Sequence, residues 1–143
     1  MPSSSSGIPN LPRGFARLGH VHIKVRDASR AAAFYSRILG LTQTERAGDD
    51  FIFLSGNDAH HELAIQALGD DAPSPDAFRV GLYHTAWEVG DASELDIVWE
   101  RLNSAGVSLA AVDHGISWAL YFNDPDGNGV EVYLDRRGAP EGT

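Results

Sequence analysis

Residues 112–134 read VDHGISWALYFNDPDGNGVEVYL, and three of them can do chemistry: His114, Tyr121 and Glu131. Glu131 stands alone in the apolar run GVEVYL. An unpaired buried carboxylate is costly, so a half-buried strand carries one only if it is exposed, paired or bound to a metal. Six histidines add to the inventory: His20, His22, His60, His61, His84 and His114. Two imidazoles and one carboxylate from separate strands form the facial triad of a non-haem Fe(II) site, which leaves positions open for other ligands. His20, His84 and Glu131 are the residues that fit that pattern.

The elements that must position them come in a repeat. Shifting GHVHIKVRDASRAAAFYSRILG by 64 residues places His20 on His84, Val25 on Val89, Asp27-Ala28-Ser29 on Asp91-Ala92-Ser93, and Arg37 on Arg101. Each copy opens with an alternating stretch, VHIKV or TAWEV, which predicts a strand. Asp-Ala-Ser then caps a helix that ends near Gly40 or Gly106. Three short strands follow in each: TQTERA, FIFLSG and HELAIQ, then VSLAAV, WALYF and GVEVYL, with turns such as Gly48-Asp49-Asp50 and Asp124-Pro125-Asp126-Gly127 between them. The predicted class is α+β, two βαβββ modules in tandem. A duplicated unit places equivalent positions near a pseudo-twofold axis, which is how His20 and His84 come to share one site.

Each residue also has an ordinary structural reading. A single histidine on a strand is usually solvated or hydrogen-bonded, and Tyr121 in LYF is a natural core aromatic. His114 beside Gly115 suits a turn, and His60 and His61 suit a solvent-facing strand start. His22 shares a face with His20 by alternation, but its repeat partner is Ala86, so it is read as a supporting or solvated residue.

The bulk composition sets limits. A length of 143 residues predicts one domain. The expected divisions are a flexible arm over 1–14, a domain over 15–136 and a loose tail over 137–143. Within the domain, module one spans 17–68, a linker 69–80, and module two 81–135. The absence of cysteine removes disulfides and thiolate metal sites and suits a reducing cytoplasm. A formal charge of −9 argues against nucleic acid as a partner. No apolar run has the length of a membrane span, and no stretch resembles a signal peptide.

The doubled βαβββ unit with His, His and Glu resembles the vicinal oxygen chelate superfamily, which includes glyoxalase I, bleomycin and fosfomycin resistance proteins, methylmalonyl-CoA epimerase and type I extradiol dioxygenases. The resemblance covers about Leu18 to Asp135. It implies a half-open mixed β-barrel around a metal site. The opening stretch is more specific and resembles the extradiol ring-cleavage signature in single-domain form: His114, then Leu120-Tyr121, Asp124-Pro125-Asp126-Gly127 and Glu131. HHELAIQ supplies a second marker of that branch at His61, with His60 in reserve.

The resemblance implies that His20, His84 and Glu131 hold Fe(II), or Mn(II), and that the substrates are a small aromatic diol and O2. His61 would handle protons beside O2, and His114 and Tyr121 would hydrogen-bond a substrate oxygen. A homodimer is implied as well. One alternative stays open. HELAI resembles VEVYL, so Glu62 falls close to Glu131 under the repeat. If Glu62 faces inward in place of His61, the ligands become His20, Glu62, His84 and Glu131, as in a glyoxalase I-like isomerase with Ni(II) or Zn(II). A third class, a drug-binding resistance protein without catalysis, needs no metal ligands.

Overall fold

A computed structural model describes residues 14–139. The arm expected over 1–14 lies outside the described residues except for Gly14, and so do residues 140–143 of the expected tail. Module one runs β1 (Val21–Val25), α1 (Ala28–Leu39), β2 (Thr42–Ala47), β3 (Phe51–Ser55) and β4 (Leu63–Ala67). Module two runs β5 (His84–Val89), α2 (Ala92–Ser104), β6 (Ala110–Asp113), β7 (Ser117–Asn123) and β8 (Gly129–Asp135). The expected tandem repeat is present, with β6 starting later than the stretch VSLAAV suggests.

Both helices begin as the sequence dictates. The Asp27 carboxylate accepts from Arg30 N at 3.1 Å, and Asp91 accepts from Glu94 N at 2.9 Å, each satisfying a backbone donor that the first turn leaves unpaired. Helix α1 stops at Gly40, whose φ of 73° is a left-handed conformation that glycine adopts without strain.

Two four-stranded sheets result, ordered β1-β4-β3-β2 and β5-β8-β7-β6. The first and last strands of each module pair in parallel, and the remaining pairs are antiparallel. Alternation sends Ile23, Val25, Ile52, Leu54, Leu63 and Ile65 from one sheet, and Leu120, Phe122, Val130 and Val132 from the other, into a single apolar core with the helices. The opposite, concave faces carry the polar residues of interest.

The two modules are tied together by the turn Asp124–Asn128. Asp124 and Asp126 are buried, at 4% and 5% exposed. Tyr35 of α1 donates its hydroxyl to Asp124 Oδ2 at 2.9 Å, while Asp124 Oδ1 accepts from Asp126 N and Asn128 N, both at 2.9 Å. Burial and the Asp124 charge raise the Tyr35 pKa far above its ordinary value, so the phenol stays a donor. Asp126 Oδ1 accepts from Arg26 N at 3.0 Å, Arg26 Nη1 at 3.1 Å and Arg30 Nη2 at 3.3 Å. The sequence marks this segment only as a turn. Its carboxylates bind module two to module one.

Candidate active site

Glu131 and His84 meet because β8 lies directly beside β5. His84 is registered on Gly129, and Ala86 on Glu131. A Cβ on Gly129 would collide with the Tyr83 carbonyl and come within 3.2 Å of His84 Cβ, so only glycine allows this approach. The imidazole Nε2 then stands 3.2 Å from Glu131 Oε1, with the two side chains 28% and 14% exposed. The other ring nitrogen, His84 Nδ1, is buried without a hydrogen-bond partner.

Tyr121 on β7 is registered on Glu131 and shares its face. Its hydroxyl lies 2.8 Å from His114 Nε2, and its ring 5.9 Å from that of His84. Burial, the Glu131 charge and a hydrogen bond to Glu131 raise the Tyr121 pKa. The phenol is therefore held neutral, as a donor. Four residues from β5, β7, β8 and the β6–β7 turn thus form one cluster: His84, Glu131, Tyr121 and His114. A cleft of about 530 Å³ opens beside it, reached by His84 and Tyr121 of the cluster, lined also by Tyr83 and Asn123, and walled by Pro75, Asp76, Ala77, Arg79, Gly81 and Leu82 of the preceding segment. That volume lies in the range of small-molecule sites.

The module-one residues form a second cluster. The rings of His20 and His61 are 4.5 Å apart, and His61 packs 5.0 Å from Phe53. Burial lowers the His61 pKa, and the His20 and His60 imidazoles push it the same way, against Glu45. Among the described residues, no three His, Asp or Glu side chains are gathered closely enough to hold a metal ion. The donor chemistry nevertheless fits a divalent cation. His84 and Glu131 converge as an imidazole–carboxylate pair, and the orphaned Nδ1 leaves the site's polar groups incompletely satisfied. His20, the third residue of the set, belongs to the other cluster.

Strand register corrects the expected likeness of Glu62 to Glu131. His22 pairs with Ala64 as Ala86 pairs with Glu131, so the counterpart of Glu131 in module one is Ala64. Glu62 corresponds to Gly129, and its carboxylate accepts from Gly56 N at 2.8 Å in the β3–β4 turn. It is His61, just before β4, whose ring packs against His20.

Residues 17–132 match the model of the Glyoxalase/Bleomycin resistance protein/Dioxygenase superfamily. The chain belongs to that superfamily. It is 33% identical over 83% of its length to a catechol-2,3-dioxygenase of Bacillus subtilis (strain 168), and 29% identical over 87% to a biphenyl-2,3-diol 1,2-dioxygenase 3 of Rhodococcus globerulus. It spans 41% and 66% of those two proteins. It is also 29% identical over 84% of its length to the mitochondrial methylmalonyl-CoA epimerase of Homo sapiens, covering 73% of that protein. A crystal structure of a glyoxylase/bleomycin resistance protein/dioxygenase domain from Frankia sp. EAN1pec superposes with a TM-score of 0.72 at 28% identity, covering 87% of this chain and 96% of that one. Superfamily relatives therefore include both dioxygenases and an epimerase.

Proposed function

We propose that the protein is an extradiol ring-cleavage dioxygenase acting on a catechol-type aromatic with O2. The observation that carries this is the His114–Tyr121 hydrogen bond of 2.8 Å beside the His84–Glu131 pair. An isomerase would not need that donor pair, and Glu62, the extra ligand of the isomerase reading, is engaged by Gly56 N.

In this reading His20, His84 and Glu131 hold Fe(II), or Mn(II). When bound, the ion supplies Lewis acidity toward the diol and a path for electrons from ring to O2. Tyr121 and His114 orient a substrate oxygen and donate to the negative charge that develops on it. The raised Tyr121 pKa keeps that proton available through neutral pH. His61 takes a proton from the diol and returns it later in the reaction. The cleft beside Tyr83 receives the ring.

We also assign a second copy of the chain as partner. Phe78 and Val80 are fully exposed and Tyr83 is 84% exposed, an unusual concentration of large apolar residues in one segment. Strands β1 and β5 stand at sheet edges, where a second chain can pair. Light scattering should give a dimer mass, and a monomer mass would remove this assignment.

The test of the activity is direct. Protein reconstituted with Fe(II) without oxygen, then mixed with catechol or a dihydroxybiphenyl in air, should produce a yellow ring-opened semialdehyde with stoichiometric O2 uptake. No colour and no uptake across several catechols, with metal bound, would refute the proposal and turn attention to a Ni(II)-loaded isomerase assay.

A further inference from the structure

The concave face of module one carries a chain of polar contacts that no step above uses. Strand β2 is irregular: Gln43 pairs with Leu54 but Glu45 pairs with Phe53, so Thr44 is an extra residue in the ladder. A bulge of this kind re-aims the side chains that follow it. In a regular strand the residue opposite Phe53 would be Thr44. The extra residue places Glu45 there instead, on the side where Phe53 meets the rings of His60 and His61. Glu45 Oε1 then lies 3.2 Å from His60 Nε2, and His60 Nδ1 lies 2.8 Å from His61 Nδ1.

These contacts decide where the protons sit. A carboxylate only accepts, so the hydrogen on His60 Nε2 points at Glu45. A neutral His60 then has a lone pair on Nδ1. The 2.8 Å contact between the two Nδ1 atoms needs one proton, and His61 must supply it. An unconstrained neutral imidazole prefers its proton on Nε2. With His60 neutral, these contacts would reverse that preference and leave the lone pair on His61 Nε2.

We propose that Glu45 and His60 are positioning residues that fix His61 as its Nδ1–H tautomer, leaving Nε2 as the nitrogen that accepts a proton from substrate. The inference rests on the reading of His61 as the residue that handles protons. It extends that reading to two residues that need not touch substrate. The tautomer of a metal-bound or catalytic imidazole is set by what its other nitrogen bonds.

The test is nitrogen-15 NMR of the histidine side chains, on the metal-free protein and again with Zn(II) as a diamagnetic ion. His61 should be protonated at Nδ1. Glu45→Gln keeps an acceptor for His60 Nε2 and should leave the tautomer unchanged. Glu45→Ala and His60→Phe should move His61 to the Nε2–H form and lower kcat about ten- to a hundredfold at unchanged KM, the range for loss of an orienting partner. Both replaced side chains are more than half exposed, so the variants should fold. A wild-type His61 protonated at Nε2, or one that stays protonated at Nδ1 in Glu45→Ala, overturns the proposal. The readout does not depend on turnover. An inactive protein with the stated tautomers refutes the dioxygenase reading alone, and an active one with unresponsive tautomers refutes the positioning role alone.

Discussion

The two modules share a scaffold and differ in what they place on it. Asp27 and Asp91 cap equivalent helices, and His20 and His84 precede or begin equivalent strands. The concave faces diverge. Module two offers a carboxylate, Glu131, where module one has Ala64, and Gly129 where module one has Glu62. Module one instead gathers His20, His60, His61 and Glu45. What the two modules share is what folds them, and what differs is the set of side chains proposed to react. In the proposed division, module two supplies the anionic ligand and the oxyanion donors, and module one the proton handling.

The sharpest way to break that division is to remove the carboxylate from each side in turn. Glu131→Ala should lose bound metal and more than a hundredfold of ring-cleavage activity, roughly the scale of losing a group on which metal binding depends. Glu62→Gln should keep both. Metal content measured after anaerobic loading decides it. Metal lost from the Glu62 variant and retained by the Glu131 variant would invert the assignment and favour the isomerase. Next in size is Tyr121→Phe, which removes a donor and its hydrogen bond to Glu131 but leaves all three proposed ligands in place. We expect full metal content and a kcat lower by about a hundredfold, as for other oxyanion donors. Metal content and kcat falling together would place Tyr121 in the metal site instead.

The link between the modules predicts a stability effect. Asp124 accepts a buried phenol, two backbone N–H groups and, at 3.0 Å, the Asn128 side chain. Asp124→Ala strands all of them, at a cost of about 2–4 kcal/mol by urea unfolding. A cost under about 0.5 kcal/mol, typical of a surface change, would mean the modules hold together through the shared core alone.

How much of this was legible in the sequence follows from range. The helix caps, the repeat and the alternation of β1, β5 and β8 are local, and residue type dictates them directly. The closeness of His114 to Tyr121 and of His84 to Glu131 was legible as motif and repeat. The partner of Asp124 was not, because Tyr35 lies 89 residues away and reads as an ordinary helix residue. The Glu62 reading misled for a similar reason. An offset of 64 holds for the first strand and helix but becomes 67 at the last strand, since Ala64 corresponds to Glu131. The bulge at Thr44 has no strong signal in TQTERA, and it is what places Glu45 opposite Phe53.

The smallest predicted effect concerns one more pair of repeat positions, Tyr35 and Trp99. Tyr35 is 1% exposed and donates to Asp124, whereas Trp99, its counterpart in α2, is 48% exposed. The folded-state pKa of Tyr35 is raised, first by burial and then by Asp124. A raised folded pKa contributes stability that is complete below the unfolded value, about 10 for tyrosine, and declines as pH rises above it. Unfolding free energy should therefore fall by up to about 1.4 kcal/mol per pH unit above pH 10 on account of this residue. Tyr121 and Tyr133 are raised as well and add a background that Tyr35→Phe leaves in place. The difference between wild type and Tyr35→Phe isolates the buried phenol, and Trp99→Phe serves as the control with no alkaline term. Parallel alkaline slopes in wild type and Tyr35→Phe would mean that Tyr35 ionises freely in the folded protein, and that α1 is not bound through its phenol to the turn that joins the modules.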